Sequence, residues 1–110
     1  MKLKTSTLAQ IYFALKGLEN QTFESFSLSY RIGRNIDMLS KLGEKFVNDI
    51  RTAAGDGPIN QEAEFKVFTE WDADGKEESF DLKKLSFEGE KSVPSPALLR
   101  ILMPILENED

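Results

Sequence analysis

The residues from Ser27 to Ala54 repeat apolar side chains at Leu28, Ile32, Ile36, Leu39, Phe46, Ile50 and Ala54, with Leu42 and Val47 flanking the same line. Steps of three and four residues keep one face of an α-helix against a core, so the spacing predicts one long amphipathic helix. At 1.5 Å rise per residue such an element runs about 40 Å, which commits the rest of a small chain to covering its apolar stripe. Ser27 is the expected N-cap. Gly55-Asp56-Gly57-Pro58 supplies the stop, because glycine accepts the backbone just past a helix end and proline cannot continue the helix. Gly33 and Gly43 each cost about 1 kcal/mol relative to alanine inside a helix, and both are expected to admit a closely packed neighbour.

Opposite the stripe, Arg31, Arg34, Lys41 and Lys45 fall within about a quarter turn of one another. A functional reading makes them a ridge for an anionic partner; the plainer reading is a solvated outer face, partly neutralised by Asp37 and Glu44. A nucleic-acid site normally sits on a basic domain. This chain carries a net charge of −5.

A chain of 110 residues is one domain's worth, enough to bury a core without metal or disulfides. It has no cysteine, which excludes disulfides, and no histidine, which removes the commonest general base and imidazole ligand. Gln10 and Lys16 interrupt the apolar run after Lys2 and Lys4, so neither a signal peptide nor a membrane span is expected. Charge is uneven: residues 56–90 hold 11 acidic and 4 basic side chains, a field that would steer a basic partner.

In chain order, residues 5–19 read as a first helix with Leu8, Ile11, Tyr12, Leu15 and Leu18 inward. Thr7 with Gln10 forms a capping box, Thr5 or Ser6 being other possible starts. The connector 20–26, with Phe23 and Phe26 plugging the corner, is short enough to make the two helices an antiparallel αα-hairpin. From Glu64 to Trp71 two periods compete. Phe65, Val67, Thr69 and Trp71 alternate as in a strand, while Phe65, Phe68 and Trp71 keep helical spacing. Aromatic and β-branched enrichment favours the strand, and with Asp74-Gly75 as a turn and Ser79–Phe87 as a second extended run it predicts a β-hairpin. Ser95-Pro96 opens a last short helix, apolar nearly all round and ended or kinked at Pro104, with an acidic tail from Glu107 to Asp110. The expected fold is therefore α+β: an N-terminal αα-hairpin with one long central helix, a β-hairpin and a short C-terminal helix on the core.

Candidate chemistry is sparse. Glu70, Asp72, Asp74 and Asp81, with Gly75 at the sixth place, occupy places one, three, five and twelve of a calcium loop. The first place lacks aspartate and the last lacks glutamate, and an acidic turn explains the same residues. No serine sits in a nucleophile-elbow context, so no enzyme and no cofactor is expected. Partner contact is the better candidate, through Leu99, Met103 and Leu106 of the last helix and the aromatics Phe68 and Trp71, core packing being the alternative for each.

Three stretches together resemble a known family. Lys2-Leu3-Lys4-Thr5 leads into a helix with Ala14-Leu15, Phe26-Ser27-Leu28-Ser29-Tyr30-Arg31-Ile32-Gly33-Arg34-Asn35 opens the long helix, and Ser95-Pro96-Ala97-Leu98-Leu99 through Pro104-Ile105-Leu106-Glu107 closes the chain. They are similar to a family of small proteins of unknown function encoded by phages and prophages of Gram-positive bacteria; the segment Asp72–Gly75 departs most. The resemblance implies phage or prophage origin and expression in the bacterial cytoplasm, with no activity attached. The expectation is a non-enzymatic accessory protein acting on a protein partner, another protein or a second copy in a homodimer. The other readings are a host-directed inhibitor with an acidic surface imitating nucleic acid, and a virion or assembly component.

Overall fold

The structure is a computed structural model and describes residues 1–107. A short strand β1 (Lys2–Lys4) runs straight into helix α1 (Thr5–Leu18), followed by the long helix α2 (Phe26–Ala54) and helix α3 (Gln61–Asp74). Strand β2 (Glu77–Ser79), helix α4 (Pro96–Leu102) and one 3-10 turn (Met103–Ile105) complete the order. The α+β class and the single central helix are as expected, and no helix among the described residues is long and apolar enough to cross a membrane.

Helix α2 is continuous over 29 residues and buries Leu28, Ile32, Ile36, Leu39, Leu42, Phe46 and Ile50. Its cap is Ser25, not Ser27: the Ser25 hydroxyl accepts from the Leu28 N–H at 3.2 Å. The helix thus begins earlier, and the Glu90 carboxylate accepts from the N–H groups of Glu24 and Ser25 at 2.7 and 3.1 Å. Phe26 consequently lies on the first turn, 84% exposed, and does not plug the corner; Phe23 does, edge-on to Phe87. The two glycines part company. Gly43 lies under the Tyr12 ring, whereas among the described residues nothing comes within 4 Å of a Cβ placed at Gly33.

Helix α1 packs along α2 through Leu8, Ile11, Leu15 and Leu18. No side chain caps it, and the Thr7–Gln10 box is not used. Instead the Thr5 N–H donates to the Lys76 carbonyl at 2.8 Å, so the residue just before β2 supplies the acceptor at the start of the helix.

The expected β-hairpin is replaced by a helix and a different strand pairing. Residues 61–74 are helical, with the Asn60 side chain accepting from the Ala63 N–H at 2.8 Å and Gly75 ending the helix at φ 67°. Glu62 and Glu64 sit in the first turn, where carboxylates complement the helix dipole. Burial of Ala63, Val67 and half of Trp71 follows a helical spacing, while Phe65, which carried the alternation, is 71% exposed. The antiparallel pair that does form joins β1 to β2, in register Lys2↔Ser79, Leu3↔Glu78 and Lys4↔Glu77.

Beyond β2 the chain lies along α2 without regular structure and buries Leu82 and Leu85. Asn35, fully buried within the apolar stripe, grips it by its backbone. The Asn35 amide nitrogen donates to the Lys83 carbonyl at 2.9 Å, and its oxygen accepts from the Lys83 N–H at 2.7 Å. Ser95 caps α4, accepting from the Leu98 N–H, and Pro104 sits in the 3-10 turn that ends the helix, both as expected. Leu102 and Ile105 are fully buried, and α4 packs on α1. Leu85 then exchanges backbone hydrogen bonds with Ile105 and Glu107. Of the acidic tail, residues 108–110 lie outside the described residues.

Candidate functional site

Two polar clamps fasten the stretch from the last turn of α3 to Lys83 antiparallel to α2. At one end the Trp71 indole N–H donates to Asp49 at 2.9 Å; at the other, Asn35 holds Lys83. Between them the facing walls stay apart, leaving a concavity of about 540 Å³, within the size range of small-molecule and peptide-anchor pockets.

The floor is apolar, made by Met38, Leu42, Trp71 and Phe80. Trp71 is fixed there by its bond to Asp49 and by edge-on packing with Phe46, ring centroids 4.8 Å apart; Phe46 in turn meets Phe13. The α2 wall carries Lys41, Lys45 and Asp49 at helical spacing, with the Lys45 ammonium 6.0 Å from the centre of the Trp71 ring. On the facing wall, Asp74 stands at the end of α3, and Lys76, Glu78 and Phe80 alternate along the strand so that all three face the groove. Among the described residues, Lys41, Lys45, Asp74, Lys76 and Glu78 make no ion pair within 4.0 Å. The site thus presents opposite charges across an open gap above an aromatic floor.

Of the residues singled out by sequence, the groove brings together Trp71, Lys41 and Lys45. Arg31 belongs elsewhere: it donates to the Lys84 carbonyl at 2.9 Å and lies 3.4 Å from Glu107, tying α2 to the two segments it carries. Arg34 is exposed on α2 and does not line the groove. Phe68 and Trp71 are not free aromatics but half-buried against the core, as is Leu106; Leu99 is half-buried on α4, and Met103 alone of these candidates near the C-terminal end is open, at 63% exposure. The calcium reading is overturned by geometry. Glu70, Asp72 and Asp74 are fixed on helix α3, where spacing of two turns successive side chains apart. Asp72 accepts from the Ser6 hydroxyl and neighbours Lys4, while Asp81 lies beside Lys83. No group of three or more metal-ligating side chains gathers among the described residues.

Sequence reasoning missed Asp49, Lys76 and Glu78. The i, i+4, i+8 spacing of Lys41, Lys45 and Asp49 was there to be read, as was the alternation of Lys76, Glu78 and Phe80, but their juxtaposition is a tertiary fact. It also missed the outcrop of Phe26 and Tyr30, stacked at 6.4 Å on the exposed start of α2. Comparison of the chain with protein-family models, curated proteins and solved structures finds no match.

Proposed function

We propose that this chain is a non-enzymatic accessory protein of phage or prophage origin, acting in the bacterial cytoplasm by holding part of another protein in the groove between α2 and the α3–β2 segment. One observation carries the reading: a preformed concavity with a rigid aromatic floor and charges of both signs left unpaired with one another across it. Anchored tryptophan beside lysine and carboxylate is the composition of a contact site in which an apolar anchor is buried and a polar rim sets selectivity. Catalysis by histidine or cysteine is not open to a chain with neither, and the groove's carboxylates stand on an open rim. The resemblance in Phe26–Asn35 and Ser95–Glu107 supports the phage or prophage origin.

The test is capture from infected or lysogenic cells with the wild-type protein and with Met38→Arg, which fills the groove from a half-buried position. A protein recovered by the wild type and lost by a variant of unchanged melting temperature supports the reading. Equal recovery by both, or no partner with either, overturns it. A second reading, a host-directed inhibitor imitating nucleic acid, draws on the exposed carboxylates Glu62, Glu64 and Glu70 of α3. It requires instead a partner that Met38→Arg retains and that salt releases.

A further inference from the structure

We infer that the groove takes a short peptide segment bearing an apolar, preferably aromatic, anchor flanked by one acidic and one basic residue. The inference rests on the reading of the groove as a protein-contact site and adds the chemistry of its occupant. The floor of Met38, Leu42, Trp71 and Phe80 fits an uncharged side chain, and Trp71 offers it a ring held in place from two sides. The walls differ in kind. Lys41 and Lys45 stand one turn apart on α2, and the Asp49 that follows them has one carboxylate oxygen engaged by the indole N–H. Facing them are Asp74 and Glu78, with Lys76 between.

An anchor with a single sign on both flanks satisfies one wall and meets like charge at the other. A polyanion such as nucleic acid is opposed by Asp74 and Glu78, and a polycation by Lys41 and Lys45. A segment with both signs places each charge against its opposite, close to a low-dielectric floor where such pairs count for more than in open water. The unpaired rim is then explained. Its charges are too far apart to pair with each other, and the occupant completes them.

Trp71 is the only tryptophan of the chain, so its emission reports directly on the groove. The probes are four capped hexapeptides with one leucine–phenylalanine core, flanked by acid and base, two acids, two bases, or two serines. The mixed-charge peptide is expected to shift Trp71 emission at about tenfold lower concentration than either single-sign peptide, two rim pairs contributing together. In the Lys41→Glu/Lys45→Glu variant both walls are acidic, and preference should pass to the doubly basic peptide. Equal response to all four peptides, an unchanged ranking in the charge-reversed variant, or no response to any overturns the inference. Should Met38-dependent capture succeed while the peptides rank alike, the occupant's chemistry falls and the contact reading stands. Should capture fail, the contact reading falls first.

Discussion

Gly33 and Gly43 occupy the same helix and would be scored alike by propensity, yet their surroundings give substitution opposite signs. At Gly33 an added methyl meets open space, so Gly33→Ala should stabilise the protein by about 1 kcal/mol through helix propensity alone. At Gly43 the same methyl runs into the ring of Tyr12, which is half-buried against the core. Gly43→Ala should therefore destabilise by about 1–3 kcal/mol, the usual range for overpacking, with the loss partly recovered when Tyr12 is also trimmed to alanine. Urea melts of the three variants check both signs. Asn35 makes a sharper case. Its amide satisfies both backbone groups of Lys83 inside an otherwise apolar stripe. Asn35→Ala removes both partners at once and should cost about 2 kcal/mol or more, because buried peptide groups left unpaired are penalised in full. Asn35→Leu, similar in volume, should not rescue it. If the leucine variant matches the wild type in urea, the clamp is dispensable. Sequence periodicity assigns Asn35 no role, since its partner lies 48 residues away.

At the scale of elements, legibility followed the locality of the signal. The long helix, the Ser95-Pro96 start and the stop at Pro104 were readable because caps, periodicity and proline act within a few residues. The strand reading of Glu64–Trp71 fails because, of the four alternating residues Phe65, Val67, Thr69 and Trp71, Phe65 and Thr69 face water while Val67 and Trp71 turn inward one helical turn apart. The signal that decides it was equally local: Asn60 three residues before Ala63, glutamates in the first turn, and Gly75 just beyond the end. Asn60→Ala should therefore lower stability by about 1 kcal/mol and reduce helical circular dichroism on heating before global unfolding, as loss of an N-cap does. A strand at this place would be indifferent to the change. The β pairing was not legible at all. β1 and β2 are three residues each, and β2 finds its partner at the far end of the chain, a choice that loop closure and packing make and that no window of sequence contains. The groove inherits that difficulty, because one of its walls is the strand so placed.

At the scale of the whole molecule, both ends of the described chain are fastened to the same stretch. The N-terminal ammonium donates to the Phe80 carbonyl, Phe80 N–H donates to Met1, and Thr5 N–H donates to Lys76. Further along, Leu85 is bridged to Leu106, flanked by bonds to Ile105 and Glu107. Residues 76–86 thus depend on the two termini on one side and on Asn35 and Arg31 of α2 on the other. The α1–α2 pair, by contrast, is joined by a short connector and carries most of the buried aliphatic side chains. Removing residues 1–4 should then act unevenly. The facing wall of the groove loses its strand partner, so Trp71 emission should move to longer wavelength and the groove's peptide response should weaken. Amides at Leu39 and Phe46, in the middle of α2, should keep their exchange protection, because both side chains are buried in the core. The amide of Lys83 should also remain protected, since its acceptor is Asn35 and not the N-terminal strand. The melting temperature should fall by several degrees, since for a domain of this size about 1 kcal/mol corresponds to roughly 4–8 °C. Native-state hydrogen exchange separates this outcome from its opposite. Uniform loss of protection across α2 and Lys83 would mean that the termini hold the whole domain together, and that the groove wall is no weaker than the core beneath it.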